Sequence, residues 1–424
     1  MLCQSIRPAA RVALCASSAT RAFATVSPVG TASRSHKVIV IGGGSAGLTV
    51  SQKLRRSGKF APNDIAVIDP AEWHHYQAGW TLVGGGVKKK TDLRRRQKDL
   101  MHSHLKFYPE SVSSIQAEEN SILLGNGDRL EYEQLVVVPG IHMDYGKIKG
   151  MPEALADPSS MVSTIYGYET CDKVFKTIQK LQKGNAIFTQ PAGGVGLYRA
   201  GDLSSPVKIS FATGLPVMFG VPKYSAKLEE LRKERGVEGL FQHDLVEING
   251  DKAVFDTLGG KVTKRFDLLH SAPKMCAHDF VKNSSIANEA GYVDVDSETT
   301  RHVRFPNVWS IGDASGLPTS KTAAAITAQA PILVQNLLKS IEGKAPDAKY
   351  DGYTSCPLVT QYGKVLLTEF KYGGVPDETF GKWFGINQAV PRRAFYHMKK
   401  EFFPWVYYAS MVKGTWAGPK GWSR

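Results

Sequence analysis

No acidic residue occurs before Asp64 in this 424-residue chain. The leading stretch, 1–36, carries Arg7, Arg11, Arg21 and Arg34 among alanines and serines, with no continuous apolar centre. That missing centre excludes a secretory signal, and an acid-free, Arg- and Ser-rich leader is the composition of a mitochondrial transit peptide. Arg21-Ala22-Phe23 followed by Ala24 resembles a matrix-peptidase cleavage site, and residues 1–35 are set apart from the fold. No run approaches ~18 consecutive apolar residues, so no transmembrane helix is expected. Cysteine is scarce: of five, Cys3 and Cys15 fall in the leader, leaving Cys171, Cys276 and Cys356. Their scattered spacing supports neither a disulfide framework nor a paired-cysteine metal site. No metal is expected, and these thiols are either core residues or redox groups.

The remainder is too long for one small core, which implies two or three domains. Base is in excess: taking the four leader arginines from a net charge of +14 leaves +10. It gathers at Lys88-Lys89-Lys90, at Arg94-Arg95-Arg96 and in residues 391–424, which carry a net +6. A basic surface suits nucleic acid, an acidic protein or an anionic membrane.

After the leader, His36–Ile41 (HKVIVI) is a short apolar run suited to a buried parallel strand. Gly-Gly-Gly-Ser-Ala-Gly follows, then a stretch with helical spacing, then the strand-like Ile65–Ile68. This order is the strand–helix–strand unit of a dinucleotide-binding fold. Gly42, Gly44 and Gly47 supply G-x-G-x-x-G: a tight turn, a close approach to pyrophosphate and a helix packed on its strand. Ser45 and Ala46 open the helix, whose free N–H groups favour phosphate. Asp69, at the end of the next strand, stands where an acid holds the adenosine ribose. Leu135–Val138 then runs into Pro139-Gly140.

A second α/β segment begins near Met161. CDKVFKTIQKLQKG reads as a helix ended by Gly184, followed by strand-like NAIFT, VKISFAT and LPVMFG and by an AKLEELRKERG helix. FPNVWSI then restores the buried-strand pattern before the Ala-rich helix TAAAITAQAPILVQNLL. Ser310-Ile311-Gly312-Asp313-Ala314 lies between that strand and that helix.

The Gly312-Asp313 pair resembles the second signature of flavin disulfide-reductase-like proteins, which binds the ribityl and phosphate end of FAD. Trp73-His74-His75-Tyr76-Gln77-Ala78-Gly79-Trp80, Leu317-Pro318-Thr319-Ser320-Lys321-Thr322 and Asp351-Gly352-Tyr353-Thr354-Ser355-Cys356-Pro357 are similar to the mitochondrial sulfide:quinone oxidoreductases. The resemblance extends over nearly all of 37–424. It implies an α/β fold of two Rossmann-like dinucleotide-binding domains, the second inserted in the first, plus a C-terminal membrane-associating region. The implied limits are 36–160 and 295–345 for the FAD-binding domain, 161–294 for the second domain and 346–424 for a quinone and membrane-interface region. The implied cofactor is FAD, contacted by Gly42, Gly44, Ser45, Ala46, Gly47, Asp69, Gln77, Gly140, Gly312, Asp313 and Lys321. Lys321 would place positive charge near the flavin N1–C2 carbonyl. Adjacent His74 and His75 cannot easily share one ion, and no cysteine or acid completes a set, so they read as packing near the flavin.

Cys356 matches one cysteine of the family's redox pair. Sulfide attacks that disulfide, leaving a persulfide on one sulfur, and the other thiolate attacks the flavin. The implied partners are sulfide, ubiquinone and a small thiol or sulfite acceptor, at the matrix face of the inner mitochondrial membrane. The basic, aromatic-rich tail suits such an interface; a flavin domain argues against nucleic acid.

The family's second cysteine is missing. Where its motif should follow Asn185–Thr189, the chain reads Gln190-Pro191-Ala192-Gly193-Gly194-Val195-Gly196. Three explanations stay open: an altered gene model or splice, a paralogue with changed sulfide activity, or substitution by another thiol, for which Cys276 is the better placed. The nearby glycines do not complete a second dinucleotide fingerprint, because Arg199 stands at its last position. Rival readings are a single-chain NADH:quinone oxidoreductase and a catalytically inactive flavoprotein.

Overall fold

The computed structural model describes residues 34–190 and 206–419. β1 (Arg34–Ile41), α1 (Ser45–Arg56) and β2 (Ile65–Ile68) form the strand–helix–strand unit. Val38 pairs with Ile65 and Ile41 with Ile68 in parallel register, and Val38–Ile41 and Ile65–Ile68 are buried throughout. Covered faces on both sides explain why these strands read as unbroken apolar runs. On its other edge β1 pairs in parallel with Arg129–Val137, which in turn pairs with Val308–Trp309. A strand from late in the chain thus completes the first sheet. Its remaining members are Lys106–Tyr108 beside β2 and the antiparallel Ser121–Leu124 and Val112–Gln116.

A second, all-parallel sheet has the order Val162–Ser163, Leu268–His270, Gly184–Gln190, Val207–Thr213, Glu238–Phe241. Two sequence expectations change here. The helix of Cys171–Lys180 stops four residues before Gly184, which opens the following strand instead. At φ +111°, Gly184 turns the chain into that strand, and a Cβ there would lie 2.2 Å from Asp267 Oδ2. LPVMFG forms no strand; Leu215, Phe219 and Gly220 line a cavity, and Phe219 packs with Tyr224 and Cys356. Its apolar character serves that wall rather than a sheet.

The helix Ala323–Ile341 begins at Thr322, whose side chain accepts from Ala325 N at 3.0 Å. It packs along α1, joining Ala330, Leu333 and Leu337 to Leu48 and Leu54 in one core cluster. An antiparallel hairpin, Thr354–Gln361 with Lys364–Lys371, carries Cys356 opposite Thr368. The tail forms a short helix, Arg393–His397, a π-turn, Met398–Phe402, and a second helix, Phe403–Ala409. The described helices include none long and apolar enough to cross a membrane.

Candidate active site

The turn between β1 and α1 is shaped by three glycines that do different work. Gly42 has φ +101°, and a Cβ on it would sit 2.4 Å from Val138 O. Gly47 lies so close to the turn that a Cβ would meet Gly42 O at 1.8 Å. A Cβ on Gly44 would meet nothing within 4 Å, so open space lies over the N-terminus of α1. The turn has the form of a pyrophosphate cradle: backbone where a side chain would intrude, and free N–H groups at a helix start.

Around it the polar groups are locked. Gly43 N donates to Asp69 Oδ2 at 2.6 Å, and Ala71 N donates to Asp69 Oδ1 at 2.8 Å. Burial pushes the Asp69 carboxyl upward, against those two hydrogen bonds. Gly43 O accepts from Gln97 Nε2 at 2.7 Å and lies 3.2 Å from His74 Nδ1. Burial lowers His74 to about 4, so its imidazole is neutral near neutral pH. Its Nε2 reaches Tyr407 OH at 2.6 Å, and the same hydroxyl lies 2.6 Å from Ser45 Oγ. The tail is therefore stitched to α1.

Tyr407→Phe removes both contacts and strands the buried His74 ring nitrogen, while the half-buried Ser45 hydroxyl keeps access to the cavity, a loss of about 1–2 kcal/mol. The expected result is a lower melting temperature and earlier flavin release, read by flavin fluorescence during heating. An unchanged melting curve would show that the bridge carries no net energy.

Far along the chain from this turn, Gly312-Asp313 brings Asp313 to the same cavity lining. Gly312, at φ +67°, donates its N–H to Gln329 Oε1 at 3.0 Å. Burial raises the Asp313 carboxyl, and Lys321 acts against that rise. Lys321 is held rather than free in solvent: Nζ donates to Ser315 O at 2.6 Å and sits 4.7 Å from the Tyr292 ring centroid.

A cavity of about 1270 Å³ connects these parts. Gly42, Gly44, Ser45, Ala46, Asp69, Gln77, Gly140, Asp313, Lys321 and Cys356 all line it. Gly47 and Gly312 stand behind its wall as backbone supports. Cys276 is absent from the lining although Met275 and His278 are present; it lies on the short strand Lys274–Cys276, opposite His142. Cys171 is buried in the core, its thiol pushed up to about 11 by burial. Gln190 reaches the cavity, and the glycines and Arg199 that follow lie outside the described residues.

Cys356 is 8% exposed, and burial raises its thiol to about 11 while Lys399 pulls the other way. Sequence reasoning missed Gln97, Tyr407 and Lys399. Lys399 had a signal: it follows Phe395 by one helical step and so falls on the buried face, where a charge is unusual.

The cradle fits a flavin dinucleotide in space and donor chemistry, and the wider comparison agrees. The family described as Pyridine nucleotide-disulphide oxidoreductase matches residues 36–330. The class is thus fixed: an α/β flavin oxidoreductase with Rossmann-type dinucleotide binding, and its cofactor is FAD. The mitochondrial sulfide:quinone oxidoreductase of Schizosaccharomyces pombe is 43% identical, with 92% of this chain and 93% of that one covered. Those of Dictyostelium discoideum and Mus musculus are 40% and 38% identical over 90% and 92% of this chain, covering 87% and 89% of theirs. The chain belongs to the sulfide:quinone oxidoreductase family. The crystal structure of the Aquifex aeolicus sulfide:quinone oxidoreductase shares the fold at TM-score 0.69 and 16% identity, covering 88% of this chain and 92% of that one.

Proposed function

We propose that this chain takes two electrons from sulfide through Cys356 and delivers them to ubiquinone. The observation that carries the proposal is that Cys356 lines the same cavity as the dinucleotide cradle. Bound FAD supplies the two-electron relay between a sulfur donor and a quinone. The chain's residues do the rest. Gly42, Gly44 and the start of α1 hold the pyrophosphate, Asp69 takes the adenosine ribose, and Asp313 orients the ribityl end. Gln77 and Gly140 border the cofactor, and Lys321 offers positive charge beside it. The FAD-binding unit is 36–160 with 295–345, the second dinucleotide-type unit 161–294 is inserted in it, and 346–424 forms the quinone side. A small thiol or sulfite removes the sulfur.

The direct test is anaerobic mixing of the FAD-loaded protein with sulfide while the flavin absorbance is followed. Bleaching that a soluble quinone reverses supports the proposal. No bleaching would make the chain a flavoprotein without its family's chemistry, and bleaching by NADH alone would make it an NADH:quinone oxidoreductase.

We also place the protein on the matrix face of the inner mitochondrial membrane. Phe384, 66% exposed, and Trp405, 64% exposed, present rings to solvent on two helices whose Phe380 and Val406 line the cavity. Val406 and Tyr407 of the second helix face the core, so that helix shows only one side to an interface. A Phe384→Ser, Trp405→Ser double variant is expected to lose about tenfold or more in binding to anionic liposomes, two buried aromatic side chains being worth several kcal/mol. Unchanged co-sedimentation would remove these rings from the interface.

A further inference from the structure

We propose that Lys399 is the counter-charge that favours ionisation of Cys356, a role that rests on Cys356 being the working thiol. Lys399 is 5% exposed, lines the same cavity as Cys356, and donates from Nζ to Pro357 O at 2.9 Å. That carbonyl belongs to the residue next to Cys356, so the ammonium is tied beside the cysteine's own strand. The tie is made from an irregular helix. Met398–Phe402 is a π-turn, an unusual extra-wide turn that proteins keep mostly at functional sites. Within it Lys399 is buried, Lys400 half-buried and Glu401 exposed.

A buried ammonium with no carboxylate against it among the described residues is costly and needs a reason. The neighbouring acid is occupied elsewhere: Glu401 lies 3.1 Å from Lys88 and 3.2 Å from Lys400. Among the described residues, the ionisable groups acting on one another here are Lys399, from the π-turn; Cys356, from the hairpin; and Tyr166, which precedes the helix Cys171–Lys180. Burial pulls Lys399 down to about 8, with Cys356 acting to raise it. The lysine is then charged over most of the neutral range, where a thiol in an apolar wall most needs help to ionise. The thiolate is the reactive form of cysteine, and an adjacent lysine is one of the few devices that produce it. The proton leaves for solvent through the cavity, and no other bond changes.

The test is the pH dependence of Cys356 alkylation by iodoacetamide in the FAD-loaded protein, read peptide by peptide by mass spectrometry so that Cys171 and Cys276 do not interfere. Lys399→Met is expected to move the ionisation midpoint up by about one unit or more, a roughly tenfold slower reaction at pH 8. Lys399→Arg, which keeps the charge at every pH, is expected to hold the midpoint at or below that of the parent. An unmoved midpoint in the Met variant, or an Arg variant that behaves like Met, would overturn the assignment. Should the Met variant fail to retain flavin, the Arg variant decides alone, because a midpoint higher than the parent's would show that packing rather than charge matters. These readouts are independent of turnover. A failure here leaves the Cys356 reading intact, whereas sulfide bleaching in a Cys356→Ser protein would remove that reading whatever Lys399 does.

Discussion

Replacing Cys356 with serine is expected to leave FAD bound and to slow sulfide-driven flavin reduction by on the order of 10³-fold or more, the scale of a lost nucleophile. The two halves of that expectation have separate causes. Retention follows from geometry: Cys356 sits on the hairpin Thr354–Gln361 and Lys364–Lys371, while the cradle is made from β1, α1 and Gly312-Asp313. Serine keeps the hairpin, because the bonds at this position are Cys356 N to Thr368 Oγ1 and Thr368 Oγ1 to Cys356 O, both formed with backbone atoms. The rate loss follows from chemistry. A serine hydroxyl in this buried wall does not ionise near neutral pH and cannot carry sulfane sulfur. Flavin absorbance after desalting checks the first half, and anaerobic mixing with sulfide checks the second. Bleaching at the parental rate would move the sulfur chemistry to another group, and a matching Cys276→Ser protein would then show whether the half-buried Cys276 had taken its place.

Gly47→Ala is expected to cost about 3 kcal/mol, at the upper end of overpacking penalties, and to yield protein largely free of flavin. One methyl group is a small change, but its place is already taken: the Cβ would lie 1.8 Å from Gly42 O, a backbone atom fixed by Gly42 N donating to Ile68 O at 2.8 Å. Neither partner is a flexible side chain that can swing aside. Relief requires α1 to move off β1, and that movement displaces the helix N-terminus from the phosphates. About 3 kcal/mol is a roughly hundredfold weaker hold on the cofactor. Gly44→Ala is the control, since its Cβ meets nothing within 4 Å in the protein itself. The flavin-to-protein ratio of the two purified variants settles the matter. Equal and full occupancy would mean that the turn yields more easily than its contacts imply.

The parts of the site that were legible in sequence share one property: their meaning is local. Gly42, Gly44 and Gly47 announce themselves by spacing, Asp69 by its distance from them, and β1 and β2 by runs buried on both sides. Lys399, Tyr407 and Gln97 carry no such mark. Their roles depend on partners as far away as Pro357, Ser45 and Gly43. Regular helical spacing from Phe395 did mark Lys399 as inward, yet a basic residue in a basic tail invites a surface reading. LPVMFG failed as a strand for a related reason: apolar composition reports burial, and both a sheet and a cavity wall provide it. Gly184 was misjudged because glycine ends helices and opens strands with the same positive φ, and only Asp267 beside it distinguishes the two.

The bond from Thr49 Oγ1 to Met411 O and the contact of Ser45 Oγ with Tyr407 OH each join positions 362 apart in the chain. Synthesis from the N-terminus delivers the glycine turn first and these partners almost last. The first helix must therefore wait, incompletely braced, until nearly the whole polypeptide has emerged. Firm retention of the cofactor is therefore expected to need the end of the chain, and a polypeptide cut short before residue 407 would keep its glycine fingerprint and lose the Tyr407 clasp.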